Sequence, residues 1–205
     1  MLNNAAARKV AAVIIDPPAK LLVKLKVSPD AVTITGTIGG SLSMLILIPQ
    51  GQFIWAFVLG VFFGMSDLLD GTMARMTGTS SPWGNFLDAT LDRVTDGAVF
   101  AALILWGASQ GDFWIIGGGL LALVFGQVVS YSKARAEAVG ATANVGLAER
   151  AERLIVVGIA VLLTGFGVPY VLPIALWLIG IAGVITVVQR MVEVRRQLRG
   201  STRGE

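Results

Sequence analysis

The sequence has 205 residues, of which 55% are hydrophobic and 14% are charged, and its formal net charge is +3. Soluble domains carry about 25% charged residues, so the composition excludes an ordinary soluble domain and indicates a polytopic membrane protein. Cysteine and histidine are both absent, which excludes disulfides, thiolate chemistry and the usual histidine base or zinc ligand. Metal chemistry must therefore rest on carboxylates, whose oxygen ligands favour Mg²⁺, Mn²⁺ or Ca²⁺.

The N-terminal segment, residues 2–27, mixes apolar positions with five basic residues. This pattern predicts a basic amphipathic segment at the membrane surface, broken at Pro17-Pro18; a solvated tail is the alternative interpretation. Asp16 and the two prolines interrupt the apolar run, so the segment does not resemble a signal peptide. The basic residues are Arg8, Lys9, Lys20, Lys24 and Lys26.

Six apolar stretches follow, each near the ~20 residues that a helix needs to cross a bilayer. We therefore predict an all-α polytopic membrane protein with six transmembrane helices, preceded by an N-terminal amphipathic juxtamembrane helix. The predicted organisation is a juxtamembrane segment over 1–27, a six-helix domain over 28–197 and a disordered tail over 198–205. The predicted spans are 31–49, 52–76, 84–107, 113–138, 152–171 and 173–197.

All sixteen lysines and arginines fall in alternate connections of this arrangement or in the helix ends beside them. The connections near residues 50, 110 and 168 contain none. By the positive-inside rule, both termini and the acidic stretch described next face the cytoplasm. We expect a multi-pass protein of the cell (plasma) membrane.

Four aspartates stand in two pairs inside segments that are otherwise apolar: Asp67 with Asp70, and Asp88 with Asp92. On helices these spacings place each pair on one face. A charge at mid-membrane costs roughly 2.5–3.5 kcal/mol on insertion scales, so four acids need cations to offset that cost. Two divalent cations bridged by the carboxylates would also suit in-line displacement at phosphorus. Arg75 has a fork suited to phosphate, although alone it would be a positive-inside anchor.

The spacing of these residues resembles the signature of the CDP-alcohol phosphotransferases. The matching pattern is Asp67-x-x-Asp70-Gly71-x-x-Ala74-Arg75, eight residues, then Gly84-x-x-x-Asp88-x-x-x-Asp92. The resemblance implies two divalent metals, Mg²⁺ or Mn²⁺, held by Asp67, Asp70, Asp88 and Asp92. It also implies that Asp92 is the general base that deprotonates the acceptor hydroxyl, with CMP as the leaving group.

The same resemblance implies a pocket for the CDP-lipid. Ser28-Pro29-Asp30-x-x-Thr33 looks like the Pro-Asn segment that often precedes the first span in this family, with Asp replacing Asn at position 30. The residues expected to bind the CDP-lipid are Pro29, Asp30, Gly71, Ala74, Arg75, Thr79, Ser80 and Gly84.

Basic residues around the fourth predicted connection indicate a phosphorylated acceptor, because arginine binds phosphate oxygens in a bidentate way. The stretch SYSKARAEAVG…GLAERAERLIV resembles the phosphatidylinositol-phosphate synthase branch of the family in actinobacteria. That resemblance implies CDP-diacylglycerol and inositol phosphate as substrates. Positive-inside or lipid-headgroup contacts are the alternative for these residues. The residues assigned to the acceptor phosphate are Lys133, Arg135, Arg153 and Arg190.

Three other functions are compatible with parts of this pattern. A phosphatidylglycerophosphate synthase would take glycerol phosphate as its acceptor. An ion- or proton-coupled transporter also carries intramembrane acids, but such folds often have repeated halves, which this sequence lacks. A membrane prenyltransferase would lack the Gly71, Ala74, Arg75 and Gly84 pattern.

We expect membrane lipids as neighbours and no nucleic-acid partner. The family resemblance implies a homodimer, and glycines such as Gly117-Gly118-Gly119 permit close helix packing within or between chains.

Overall fold

The computed structural model describes residues 5–147 and 149–201. These residues form eight α-helices and contain no β-strand, which confirms the all-α prediction. The helices are α1 (Ala5–Lys24), α2 (Pro29–Leu47), α3 (Phe53–Gly64), α4 (Ser66–Thr77), α5 (Pro82–Gln110), α6 (Phe113–Ala138), α7 (Arg150–Gly165) and α8 (Val171–Ser201).

Four helical stretches are long and apolar enough to cross a membrane, which confirms the membrane class. They are Pro29–Leu47, Phe53–Thr77, Phe113–Ala138 and Val171–Arg199. The second combines α3 and α4, which are separated by a turn at Met65. Two further stretches predicted to span, 84–107 and 152–171, lie mainly in α5 and α7. Helix α5 carries the charged motif in its first half, and α7 has only 16 residues.

Helix α1 runs through Pro17 and Pro18 without interruption. The predicted break at this pair is therefore wrong, although prolines inside a helix remove backbone donors. Packing accounts for the continuity, because Ala19 is fully buried against Val32 of α2 and Met73 of α4. Residues 2–4 of the predicted N-terminal segment lie outside the described residues.

The described residues divide into two compact units. Unit 1 covers the chain to Ser43 together with Val58–Thr95, and unit 2 covers Met44–Phe57 and the chain from Asp96 onward. In unit 1, α1 packs on α4 around the small apolar core that contains Ala19 and Met73. In unit 2, α6 packs along α8, and the larger core includes Phe100, Leu103 and Leu176.

Glycines bring α6 and α8 into close contact within unit 2. A β-carbon at Gly118 would lie 2.9 Å from Cδ1 and 3.2 Å from the backbone nitrogen of Trp177. A β-carbon at Gly180 would lie 2.8 Å from Cδ2 of Leu121. Both glycines therefore serve packing within one chain. For Gly118 this decides between the two possibilities that the sequence left open, packing within a chain and packing between chains.

Helix α8 continues to Ser201, so residues 198–201 are helical and the prediction of disorder from residue 198 is wrong there. The side chain of Gln197 explains why this end of the helix is held. It accepts a hydrogen bond from the Thr142 backbone N–H at 2.9 Å and donates one to the Thr142 carbonyl at 2.9 Å. Residues 202–205 of the predicted tail lie outside the described residues.

We predict that Gly118→Ala lowers the melting temperature of the detergent-solubilised protein. The added methyl group meets the α8 backbone, and overpacking of this kind typically costs about 1–3 kcal/mol. Gly64→Ala is the matched control, since a β-carbon at Gly64 would have no neighbour within 4 Å and alanine is the better helix former. Equal melting temperatures for wild type and Gly118→Ala would contradict the close packing of α6 on α8.

Candidate active site

Unit 1 contains a cavity of about 470 Å³ formed by the start of α2, by α4 and by the start of α5. Every residue that the sequence assigned to the CDP-lipid lines this cavity, as do Asp67, Asp70 and Asp88. Ser28, Thr33, Ser81 and Asn85 line it as well. The predicted residues are thus brought together, and their roles stay predictions. The lining residues in question are Pro29, Asp30, Gly71, Ala74, Arg75, Thr79, Ser80 and Gly84.

The turn between α4 and α5 shapes one side of the cavity. Helix α4 ends at Thr77 and is capped by Gly78, which has a φ of +67°, a left-handed conformation that glycine adopts without steric cost. The N–H groups of Gly78 and Thr79 both donate to the Ala74 carbonyl. The Ser81 hydroxyl then accepts the Gly84 N–H at 3.1 Å. These local bonds fix the loop so that its hydroxyl groups line the cavity.

Three aspartates converge at the α4 and α5 faces of this unit. One carboxylate oxygen from each of Asp67, Asp88 and Asp92 lies within 4.8 Å of the others. Asp67 is exposed, and the other two are half-buried. Three hard oxygen donors at this separation repel one another unless a cation lies between them, and they match the ligands that Mg²⁺ and Mn²⁺ prefer. The donor set therefore fits a divalent metal.

The fourth aspartate of the motif, Asp70, is held by the protein beside the three. It is buried, and its two carboxylate oxygens accept hydrogen bonds from Thr33 Oγ1 and from the Gly71 N–H, each at 2.5 Å. The hydroxyl of Thr33 also lies 3.1 Å from the Pro29 carbonyl. The family resemblance included Thr33 in the Pro-Asn segment but gave it no role, so its contact with Asp70 was missed. The available signal is that Thr33 follows Pro29 by one helical turn in α2.

Two further contacts define the cavity wall. Trp83 Nε1 donates to Asp30 Oδ2 at 3.0 Å, joining the starts of α5 and α2. Arg75 Nη2 donates to Thr72 Oγ1 at 2.9 Å, which holds the exposed guanidinium along α4. A β-carbon at Gly71 would approach only Arg75 Nη1, at 3.6 Å. A larger residue at position 71 would therefore fill cavity space.

The residues assigned to the acceptor phosphate belong to unit 2 and occupy three different settings. Arg153 is 2% exposed, and its Nη2 lies 3.3 Å from Oδ2 of Asp96. Arg150 approaches the other oxygen of the same aspartate, with Nε 3.1 Å from Oδ1. Asp96, one turn beyond Asp92 in α5, is thus a buried acid between two arginines. In the sequence, Asp96 continues the four-residue spacing of Asp88 and Asp92, but this spacing alone indicates no partner.

Arg190 is also buried, but its partners are backbone carbonyls. Its Nε donates to Val145 at 3.0 Å, and its Nη1 donates to Val129. Arg190 and Arg135 line one groove between α6 and α8, whereas Lys133 and Arg153 are not among its lining residues. Lys133 is half-buried and Arg135 is exposed. Binding of a phosphate by these four residues stays a prediction.

Residues 26–190 match the family model described as CDP-alcohol phosphatidyltransferase. The chain belongs to this family. The match covers α2–α7 and most of α8, and it includes all four motif aspartates.

Members of the family from actinobacteria are similar to the chain over most of its length. The phosphatidylinositol phosphate synthase of Corynebacterium glutamicum is 47% identical over 190 residues, covering 90% of this chain and 85% of the relative. That of Streptomyces avermitilis is 45% identical over 192 residues, covering 90% and 79%.

Solved structures of a family member have the same fold. Mycobacterium tuberculosis phosphatidylinositol phosphate synthase with CDP-DAG bound superposes with a TM-score of 0.85 at 41% identity, covering 89% of this chain and 94% of that one. The same enzyme in complex with manganese and citrate gives 0.81 at 40% identity, covering 87% of each chain.

We predict that Asp96→Asn strongly destabilises the protein. The substitution removes the negative charge between Arg150 and Arg153, and breaking a buried ion pair typically costs about 3–5 kcal/mol. The measurement is the melting temperature in detergent. Asp112→Asn is the matched control, because Asp112 caps α6 by accepting the Trp114 and Ile115 N–H groups, and asparagine caps equally well. Equal melting temperatures for the two variants would contradict the account of Asp96.

Proposed function

We propose that this family member transfers a phosphatidyl group from CDP-diacylglycerol to a hydroxyl of inositol phosphate, giving phosphatidylinositol phosphate and CMP. The observation that carries the proposal is the cavity of unit 1, which gathers the predicted CDP-lipid residues beside the motif acids. The relatives named phosphatidylinositol phosphate synthase support the choice of acceptor.

The CDP-lipid would lie in this cavity, where the chain offers groups that suit a nucleoside diphosphate. Arg75 supplies a guanidinium for phosphate oxygens, and Thr79 and Ser80 supply hydroxyl groups. Gly71 and Gly84 leave room for the substrate because they lack side chains. The carboxylate of Asp30, held by Trp83, is of the type that accepts a hydrogen bond from the amino group of cytosine.

Two divalent cations, Mg²⁺ or Mn²⁺, would be held by Asp67, Asp88 and Asp92 together with Asp70. The convergence of the first three supports this assignment, and the relative solved with manganese supports a divalent metal. When bound, such ions neutralise charge on the carboxylates and on the diphosphate. Thr33 and the Gly71 N–H would orient Asp70 for this purpose.

Asp92 would act as the general base. Its carboxylate would accept the proton of the attacking hydroxyl while that oxygen forms a bond to the phosphorus that carries the diacylglycerol. The bond from this phosphorus to the CMP oxygen breaks, and CMP leaves with the electron pair. Arg75 would stabilise the negative charge that develops on the phosphoryl oxygens.

The phosphate of the acceptor would bind to the basic residues of unit 2. Three of the candidates, Lys133, Arg135 and Arg153, offer cationic donors of the type that suits a dianion. Asp96 would fix the guanidinium of Arg153. Arg190 would contribute chiefly by holding the backbone at Val129 and Val145.

The enzyme would work as a multi-pass protein of the plasma membrane. Six spans would include α5 and α7 besides the four apolar stretches, with both termini and the site cytoplasmic. Helix α1 would lie at the membrane surface, and its exposed side chains of Val13, Ile14 and Leu21 support this position. A homodimer is proposed from the family resemblance.

We predict that purified protein with CDP-diacylglycerol and Mg²⁺ releases CMP when inositol phosphate is added. Glycerol phosphate, inositol and serine serve as competing acceptors in parallel reactions. Asp92→Asn is the control for the catalytic chemistry and should lower the rate by at least about 10²-fold, the low end of the contribution of general acid–base catalysis. CMP release with glycerol phosphate alone would reassign the acceptor, and full activity of Asp92→Asn would remove the general-base role.

A further inference from the structure

A second cavity, of about 790 Å³, lies in unit 2 as a groove between the later parts of α6 and α8. Its α8 wall is an apolar stripe of Val187, Met191, Val194 and Leu198. Met191 is 66% exposed and Leu198 is 42% exposed. Both helices are among the stretches long and apolar enough to cross a membrane, so an apolar ligand here would be an acyl chain.

Arginines stand along the same groove. Arg135, Arg195 and Arg199 are exposed and line it together with the buried Arg190, and none of its described lining residues is acidic. Tyr131 lines the α6 side of the groove one turn before Arg135. Tyrosine is common at membrane–water interfaces, where its ring lies among apolar groups and its hydroxyl reaches water. The groove therefore combines an apolar wall with a cationic rim.

We propose that this groove binds an anionic phospholipid, with an acyl chain on the apolar wall and the headgroup phosphate between Arg195 and Arg199. Basic pockets between membrane helices are suited to such headgroups. A soluble anion would leave the apolar wall unused. A second copy of this chain is the less favoured occupant, because a twofold interface would place the arginine rim of each copy near its own counterpart.

The proposal goes beyond the transfer reaction and does not depend on it. Arg195 and Arg199 have no part in the proposed chemistry, whereas Arg135 and Arg190, which also line the groove, are candidates for the acceptor phosphate. The carboxylate cavity shares no residue with the groove. The lipid would occupy the groove whether or not the chain turns over CDP-diacylglycerol.

The absence of cysteine provides a direct test. Val188→Cys carries the only reactive thiol, on an exposed position of α8 that does not line the groove. A fluorophore attached there is quenched when a brominated acyl chain lies close to it. The protein is placed in phosphatidylcholine vesicles in which a small fraction of the lipid is brominated, either as phosphatidylglycerol or as phosphatidylcholine. We expect brominated phosphatidylglycerol to reach half-maximal quenching at a lower mole fraction than brominated phosphatidylcholine does. Arg195→Gln and Arg199→Gln should each weaken that preference about fivefold, from the ~1 kcal/mol that an arginine contributes near an anionic lipid surface.

Arg196→Gln is the matched control. Arg196 lies between the two rim arginines in sequence but does not line the groove, and it pairs with Glu193 at 2.9 Å. Its substitution should leave the preference unchanged. An equal loss in all three variants would overturn the proposal in favour of general surface attraction, and equal quenching by both lipids would overturn it outright. Efficient disulfide cross-linking of Met191→Cys between two chains would also overturn it, because a second copy would then fill the groove.

Discussion

Mutual repulsion among aspartates in an apolar chain is the constraint on which the rest of this structure depends. Asp67, Asp88 and Asp92 hold their carboxylates within 4.8 Å of one another, where like charges are costly unless a cation is present. Helix α4 ends in a glycine turn, and α5 starts four residues later, so the two faces that carry these acids meet. The small residues beside the acids keep a cavity open. The carboxylate cluster is electrostatically unfavourable without cations, and it is therefore well matched to divalent metals and a diphosphate.

Unit 2 contains buried arginines, and their positive charge is stabilised in two ways. Asp96 balances Arg150 and Arg153, whereas Arg190 donates to the carbonyl of Val145 in the α6–α7 connection and to that of Val129 in α6. Unpaired buried charges would be strongly destabilising. Positive charge that remains exposed is concentrated on the α6–α8 groove, where apolar side chains adjoin it.

The sequence predicted the features that depend on helical spacing within a short stretch. It did not predict the features that depend on contacts between residues distant in sequence. The helical spacing of Asp67, Asp88 and Asp92 was sufficient to place them together, because short loops leave two helices few alternatives. The continuity of α1 through Pro17 could not be predicted, since it depends on Ala19 packing against helices distant in sequence. The partnership of Thr33 with Asp70 was hidden for the same reason, as 37 positions separate them. The extension of α8 to Ser201 likewise depends on the long-range bonds of Gln197.

The most direct test of the account is the stoichiometry and residue dependence of Mn²⁺ binding, measured by electron paramagnetic resonance of the purified protein. The account predicts two Mn²⁺ ions per chain for the wild type. It predicts a loss of binding in Asp88→Asn and retention in Asp30→Asn, which alters the same cavity away from the carboxylate cluster. Binding by Asp88→Asn equal to that of the wild type would contradict the assignment of the carboxylate cluster as the metal centre around which the site is built.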